Sequence, residues 1–257
     1  MPFANINGIK VYYEVHGDGD TIVLLHHGFG STKMWKYIYP SLVEKGYRVI
    51  MYDRRGYGQS EKETDFEEFY VSDRFCLESV KELVTLREIL NFDSFHVIGQ
   101  CEGGVIGIEY AVKYPNQVKT MVISSTQCFS KIPMVELNKS AFPKIFRDLE
   151  PEVKEKLISW HGEEHVESFY NQFRQYGGAY GKGIFDLRNL LPFVKCPTLV
   201  LYPDRGILFD VGQGVEFYRH LPQGELAILP RCGHNTYEEQ PEEYIRSVLN
   251  FLRRHNF

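Results

Sequence analysis

Val97-Ile98-Gly99-Gln100-Cys101-Glu102-Gly103-Gly104-Val105 is the stretch that decides the fold. It stands directly after the apolar run 95–98 and directly before the helical pattern 105–113. A strand that turns at once into a helix needs strained dihedrals at the turning residue. A side chain two positions away on either side would then collide with its neighbours. Gly99 and Gly103 occupy those two positions. The residue between them, Cys101, is held out at a helix N-terminus, where the dipole favours negative charge. An isolated cysteine in a glycine-rich turn reads as a small buried apolar residue. In this strand–turn–helix setting Cys101 reads as a nucleophile. Beside a helix N-terminus and a histidine, a thiol pKa of roughly 8.5 is expected to fall by several units.

Outward from this turn the chain keeps one rhythm. Residues 3–7 and 9–15 read as two strands around Asn7-Gly8, and 21–25 and 47–52 as strands buried on both faces. Between the latter two, 32–44 supplies a crossover helix. The stretch 73–90 places Cys76, Val80, Leu83, Leu86 and Leu90 on one helical stripe. Downstream, 120–124, 198–202 and 226–229 are apolar runs of strand length. Strands alternating with helices predict an α/β fold, a mostly parallel eight-stranded sheet covered by helices on both faces. The rhythm breaks between Gln127 and Leu191, where helical patterns at 151–160 and 163–175 precede the glycine-rich linker 177–183. This predicts a helical cap over residues 127–191, inserted into a core formed by 1–126 and 192–257, with the linker as a candidate hinge.

The 257 residues carry 29 Lys+Arg against 34 Asp+Glu, a formal charge of −5. A length of about 250 residues is common for one α/β domain, and area scaling gives roughly 12,000 Å² of folded surface. A hydrophobic fraction of 43% with 25% charged residues excludes wholesale disorder. Mild acidity offers no electrostatic footprint for nucleic acid or an anionic membrane. The five cysteines are widely spaced with no CxxC pair, and no apolar run reaches transmembrane length. The N-terminus lacks a basic start followed by an apolar stretch. The expectation is a cytoplasmic protein in a reducing compartment.

Four segments, in order, carry a resemblance. His27-Gly28-Phe29-Gly30 follows a buried strand, and Asp53-Arg54-Arg55-Gly56-Tyr57-Gly58-Gln59-Ser60 follows the next. Gly99–Gly104 is the elbow, and Cys232-Gly233-His234 lies near the C-terminus. Over almost its whole length the chain resembles the α/β-hydrolase superfamily. Within it the chain is similar to the valacyclovirase-like and proline-iminopeptidase-like branches, with Cys in place of Ser at the elbow. A cysteine there is also similar to dienelactone hydrolases and polyhydroxyalkanoate synthases. The resemblance implies a cofactor-free hydrolase for a small acyl substrate, an ester, thioester or lactone, with no metal. Cys101 would form a thioester acyl-enzyme, His234 would act as base, and the backbone N–H groups of Phe29 and Glu102 would form an oxyanion hole. Carbon–carbon bond hydrolysis, acyl transfer and a non-catalytic ligand sensor are the alternatives on the same site.

The third triad member is where the pattern departs. The resemblance puts an acid after strand 198–202 at a position that reads Gly206. Either Asp204 orients the base, or Asp210 does so by a shifted loop, or a Cys–His dyad works alone, which a readily ionised thiol permits. Glu102 carries three readings: recognition of a cationic substrate group, a like charge that raises the Cys101 pKa, or a first-turn glutamate suited to the helix dipole. His26 and His27 are adjacent on a strand, so they point to opposite faces and make a poor metal pair. Cap aromatics (Phe129, Phe142, Phe146, Trp160, Phe169, Tyr170, Phe173, Tyr176 and Tyr180) either line an apolar pocket or pack the cap onto the core.

Overall fold

The structure is a computed structural model that describes residues 3–62, 65–181 and 183–255. Met1 of the N-terminal segment and Lys182 of the glycine-rich linker lie outside the described residues. Eight strands run β1 (Phe3–Ile6), β2 (Ile9–His16), β3 (Asp20–Leu25), β4 (Tyr47–Tyr52), β5 (Phe95–Gln100), β6 (Val118–Ser124), β7 (Thr198–Pro203) and β8 (Gly224–Leu229). They form one sheet in the order β1-β2-β4-β3-β5-β6-β7-β8. The two pairings of β2 are antiparallel, and every pairing from β4 to β8 is parallel.

The apolar runs are continuous because both faces are covered. In β3, Ile22 and Leu24 enter one core while Val23 and Leu25 enter the other. The same alternation splits Val49 and Met51 from Ile50 and Tyr52 in β4. The exposed surface is 11544 Å². The covering helices are α1 (Tyr39–Glu44), α2 (Phe66–Val71), α3 (Arg74–Ile89), α4 (Glu102–Lys113), α5 (Met134–Ala141), α6 (Pro151–His161), α7 (Glu163–Tyr176), α8 (Val211–His220), α9 (Thr236–Glu239) and α10 (Pro241–His255). The crossover expected as one helix over 32–44 is a 3-10 turn, Thr32–Tyr37, followed by α1. Pro40 sits in the first turn of α1, where its missing N–H costs no helix bond.

Helices α5 and α6 pack on α7, and α7 packs on α2. The chain enters and leaves this helical group through a short neck. There Phe129 bridges Asp186, the Ser130 N–H donates to the Phe185 carbonyl at 2.7 Å, and the Leu187 N–H donates to the Cys128 carbonyl at 2.8 Å. His161, at the end of α6, docks the group on the core. Its Nδ1 accepts the Gly58 N–H at 3.0 Å and its Nε2 donates to the Phe29 carbonyl at 2.9 Å. Among the described residues, no helix is long and apolar enough to cross a membrane.

Candidate active site

The turn after β5 has the geometry its glycines demand. Gln100 pairs in register with Ser124 of β6, and the Cys101 N–H donates to the Ser124 carbonyl at 2.8 Å. Cys101 then adopts φ 52 and ψ −114, a left-handed conformation that L-residues avoid, and α4 starts at Glu102. A Cβ at Gly99 would sit 2.5 Å from the Gly103 carbonyl oxygen, and one at Gly103 would overlap the Leu25 carbonyl. Both obstacles are backbone, so neither can yield. The half-buried Cys101 faces a cavity of about 370 Å³, which it shares with His27, Glu102, Gln127 and His234. The cavity wall is mainly apolar; Phe142, Trp160, Tyr170, Phe173 and Tyr180 contribute to it. Phe146 and Phe169 pack into the two cores instead.

The sulfur lies against the backbone N–H groups of Glu102 and Gly28. The N–H of Phe29, expected at this place, donates instead to His27 Nδ1 at 3.1 Å. That bond leaves Nε2 of His27 protonated and donating to the Tyr237 hydroxyl at 3.0 Å. Burial holds both His26 and His27 well below the usual imidazole range, so both rings are neutral. The His26 ring is engaged separately: its Nε2 accepts the Arg54 N–H at 3.1 Å, and its Nδ1 donates to the His27 carbonyl at 2.8 Å.

The acidity of the thiol runs opposite to the sequence expectation. Burial, then the charge of Glu102, push Cys101 up to about 12, against smaller lowering effects of the two amides and Arg54. Burial likewise depresses His234 to about 4. The resting pair is therefore a neutral thiol and a neutral imidazole. Among the described residues, no hydrogen bond joins the Cys101 sulfur to His234, and none reaches the His234 ring. What fixes the histidine is its backbone: the carbonyl of His234 accepts Gln100 Nε2 and Ser125 Oγ, each at 2.8 Å. Gln100 Oε1 in turn accepts the hydroxyls of Ser124 and Thr236. Glu239 completes the clamp by accepting the N–H groups of Gly233 at 2.7 Å and Asn235 at 3.3 Å.

Asp204, expected to orient the base, is exposed, and its Oδ1 accepts the Cys232 N–H at 3.1 Å. Hydrogen bonds from the Arg231 and Cys232 backbone lower its pKa. It thus staples the loop before His234 without reaching the imidazole. Asp210 caps α8, its Oδ1 accepting the Gly212 N–H at 2.6 Å. Both carboxylates serve backbone turns.

Glu102 is the centre of a buried cluster that sequence reading did not anticipate. Its Oε2 meets Arg54 at 2.7 Å and accepts the Tyr57 hydroxyl at 3.1 Å and the Tyr70 hydroxyl at 3.4 Å. Its Oε1 accepts the Tyr180 hydroxyl at 3.4 Å. Burial and the Glu102 charge raise all three phenols well above their ordinary value, so they remain donors. The carboxylate is therefore spent inside the protein, and the reading in which it recognises a cationic substrate group does not hold for this arrangement. The motif arginine Arg55 pairs with Glu82 and Glu78 instead. The doubled Arg54-Arg55 was the visible signal, but nothing local says which of the two turns toward the elbow.

Comparison with known proteins agrees with the fold. A family model described as alpha/beta hydrolase fold matches residues 20–167. The chain is 26% identical over 260 residues to the "Serine hydrolase BPHL" of Mus musculus, covering 96% of this chain and 84% of that one. It is 36% identical over 137 residues to the "Proline iminopeptidase" of Clostridioides difficile (strain 630), covering 51% of this chain and 44% of the relative. Among solved structures it superposes with a TM-score of 0.80, at 23% identity, on MGS-M2, an alpha/beta hydrolase enzyme from a Medee basin deep-sea metagenome library. That match covers 99% of this chain and 98% of the other.

Proposed function

The chain belongs to the alpha/beta hydrolase fold family, and on that premise we propose that it is a cofactor-free hydrolase of an ester, thioester or lactone whose acyl group is uncharged and largely apolar, with Cys101 as nucleophile. The observation that carries the reading is Cys101 itself, a non-glycine residue in left-handed geometry facing an apolar cavity shared with His234. The neutral thiol gives its proton to the neutral imidazole of His234 as sulfur closes on the carbonyl carbon. A sulfur–carbon bond forms, and the carbonyl electron pair moves onto oxygen. The N–H groups of Glu102 and Gly28 receive that oxyanion, so the sulfur leaves them as it attacks. Phe29 would contribute only by releasing its N–H from His27. Collapse expels the leaving group, which takes the proton from His234, and a thioester remains on Cys101. Water then attacks the thioester while His234 takes its proton; the acid departs and the thiol regains a proton.

A Cys–His dyad suits this site, because a thiol depends less than a hydroxyl on an acid behind the base. The test is acyl-enzyme trapping with 4-nitrophenyl hexanoate, an acid quench and peptide mass spectrometry. The wild-type chain is expected to carry a hexanoyl group on Cys101, and Cys101→Ala to lose about 10³-fold or more in kcat/KM. His234→Ala is expected to abolish turnover, whereas Asp204→Asn leaves the rate of acylation little changed. Undiminished turnover by Cys101→Ala would sink the reading. The high thiol pKa and the absence, among the described residues, of a carboxylate on the His234 ring favour, as a second reading, a ligand-binding member without turnover. Under that reading the ester binds and no 4-nitrophenol is released.

A further inference from the structure

The backbone of His234 is anchored by Gln100 and Ser125, yet among the described residues no hydrogen bond reaches its ring. The aromatic neighbour of that ring is Phe209, half-buried in the wall of the same cavity. The two centroids lie 5.5 Å apart with the planes at 69°, an edge-to-face pair. Among the described residues it is the one ring contact that either side chain makes.

The loop between β7 and α8 explains why a phenylalanine stands there. Its start is stitched to the segment that carries the histidine. The Arg205 N–H donates to the Cys232 carbonyl at 3.0 Å, and Asp204 accepts the Cys232 N–H at 3.1 Å. Its end is fixed by Asp210, the N-cap of α8. Between these points the chain closes on Gly206, where an added Cβ would lie 2.7 Å from the Phe209 carbonyl oxygen. That obstacle is backbone, so a side chain at 206, a carboxylate included, does not fit this closure. Phe209 directly precedes the N-cap, a place from which an apolar residue often packs on the fourth residue of its own helix. Here that residue is Gly214, kept bare by Tyr202, whose Cγ would lie 2.8 Å from an added Cβ. With no such partner on α8, the Phe209 ring turns to His234.

We propose that Phe209 is a positioning residue, which holds the His234 imidazole in one orientation toward Cys101 by edge-to-face packing. It does through a ring contact what a carboxylate does through a hydrogen bond, removing rotamers of a base whose backbone is already fixed. Phe209 takes no proton; the thiol proton still passes to His234 and on to the leaving group. The proposal rests on the hydrolase reading for the reaction that the held imidazole serves.

The test compares the wild-type chain with Phe209→Leu, which stays apolar and loses the ring, and Phe209→Tyr, which keeps the ring. With ring-13C histidine, the wild-type protein at neutral pH is expected to show one sharp set of His234 signals. A nuclear Overhauser crosspeak is expected between that ring and the Phe209 ring. Phe209→Leu is expected to broaden or split the set, and Phe209→Tyr to keep it. In single-turnover acylation by 4-nitrophenyl hexanoate, Phe209→Leu is expected to lower the limiting rate about tenfold and to leave the half-saturating ester concentration within about twofold. Phe209→Tyr is expected to recover most of that rate. A side chain that merely lines the pocket would shift the half-saturating concentration and spare the limiting rate. That result, a missing crosspeak, an unchanged His234 signal in Phe209→Leu, or a Tyr variant as slow as the Leu variant overturns the proposal. The wild-type crosspeak decides the contact even where a variant does not fold. A held ring without any acylation supports Phe209 and removes the hydrolase reading; acylation without the crosspeak does the reverse.

Discussion

Glu102 and Arg54 are 1% and 2% exposed and meet at 2.7 Å as a buried ion pair. Arg54 also lies over the Tyr57 ring, 4.5 Å from its centroid. Removing one member leaves the other charge buried and uncompensated, which costs about 3–5 kcal/mol. Glu102→Gln is therefore expected to lose stability on that scale in urea titration. It is also expected to speed alkylation of Cys101 at fixed pH, since the carboxylate is the second-largest cause holding that thiol up. Arg54→Met is expected to do the opposite to the thiol, because the guanidinium favours the thiolate. Alkylation rates that move together in the two variants would show that the cluster does not set the reactivity of Cys101.

At the scale of elements, the β5–α4 turn works because two strands and a helix start meet without side chains between them. Gly103→Ala puts a methyl group into the Leu25 carbonyl, and the backbone of β3 has no room to retreat from the sheet. A loss of about 1–3 kcal/mol is expected from overpacking, together with loss of turnover as Cys101 is displaced. Gly107 is one turn further along α4, and its added Cβ would meet the Val97 side chain at 3.1 Å. Gly107→Ala gains helix propensity of about 1 kcal/mol against that contact and is expected to change stability little. Urea midpoints for the pair check the contrast; equal losses would mean that the elbow is no tighter than the rest of the helix.

Over the whole molecule, buried histidines tie stability to pH. His161, which docks α6 on the core, is depressed to about 3, and His26 and His27 are also far below their ordinary value, each through burial. His165 and His234, both depressed to about 4, act in the same direction. A histidine with a native pKa below its unfolded 6.5 binds fewer protons folded than unfolded, so stability falls as pH falls from 6.5 toward the native values. Burial also raises the carboxyls of Asp53, to about 6, Glu82 and Glu109, which work the other way, against the depressed histidines, His96 among them. At pH 5.5 His161, depressed to about 3, forfeits about 1.4 kcal/mol relative to pH 7.5. The urea midpoint is expected to fall between pH 7.5 and 5.5, and His161→Gln to make that fall smaller. A midpoint that rises on acidification would contradict this assignment of neutral rings.

Local sequence was enough for whatever depends on short spacing. The apolar runs that became β3 to β8, the two glycines around Cys101 and the stripe along α3 follow from periodicity and sterics, which act between residues a few positions apart. Membership of the fold family follows from four such segments in order. Tertiary structure alone decided which of two adjacent arginines faces Glu102, that Asp204 serves the Cys232 N–H, and that Phe29 gives its N–H to His27. It also reversed the expected acidity of Cys101, because desolvation depends on what covers a group, and Phe142, Trp160 and Phe173 come to this cavity from 41 to 72 residues further along the chain. Pattern is a property of neighbours in sequence; charge and hydrogen-bond partnership in a buried site are properties of neighbours in space.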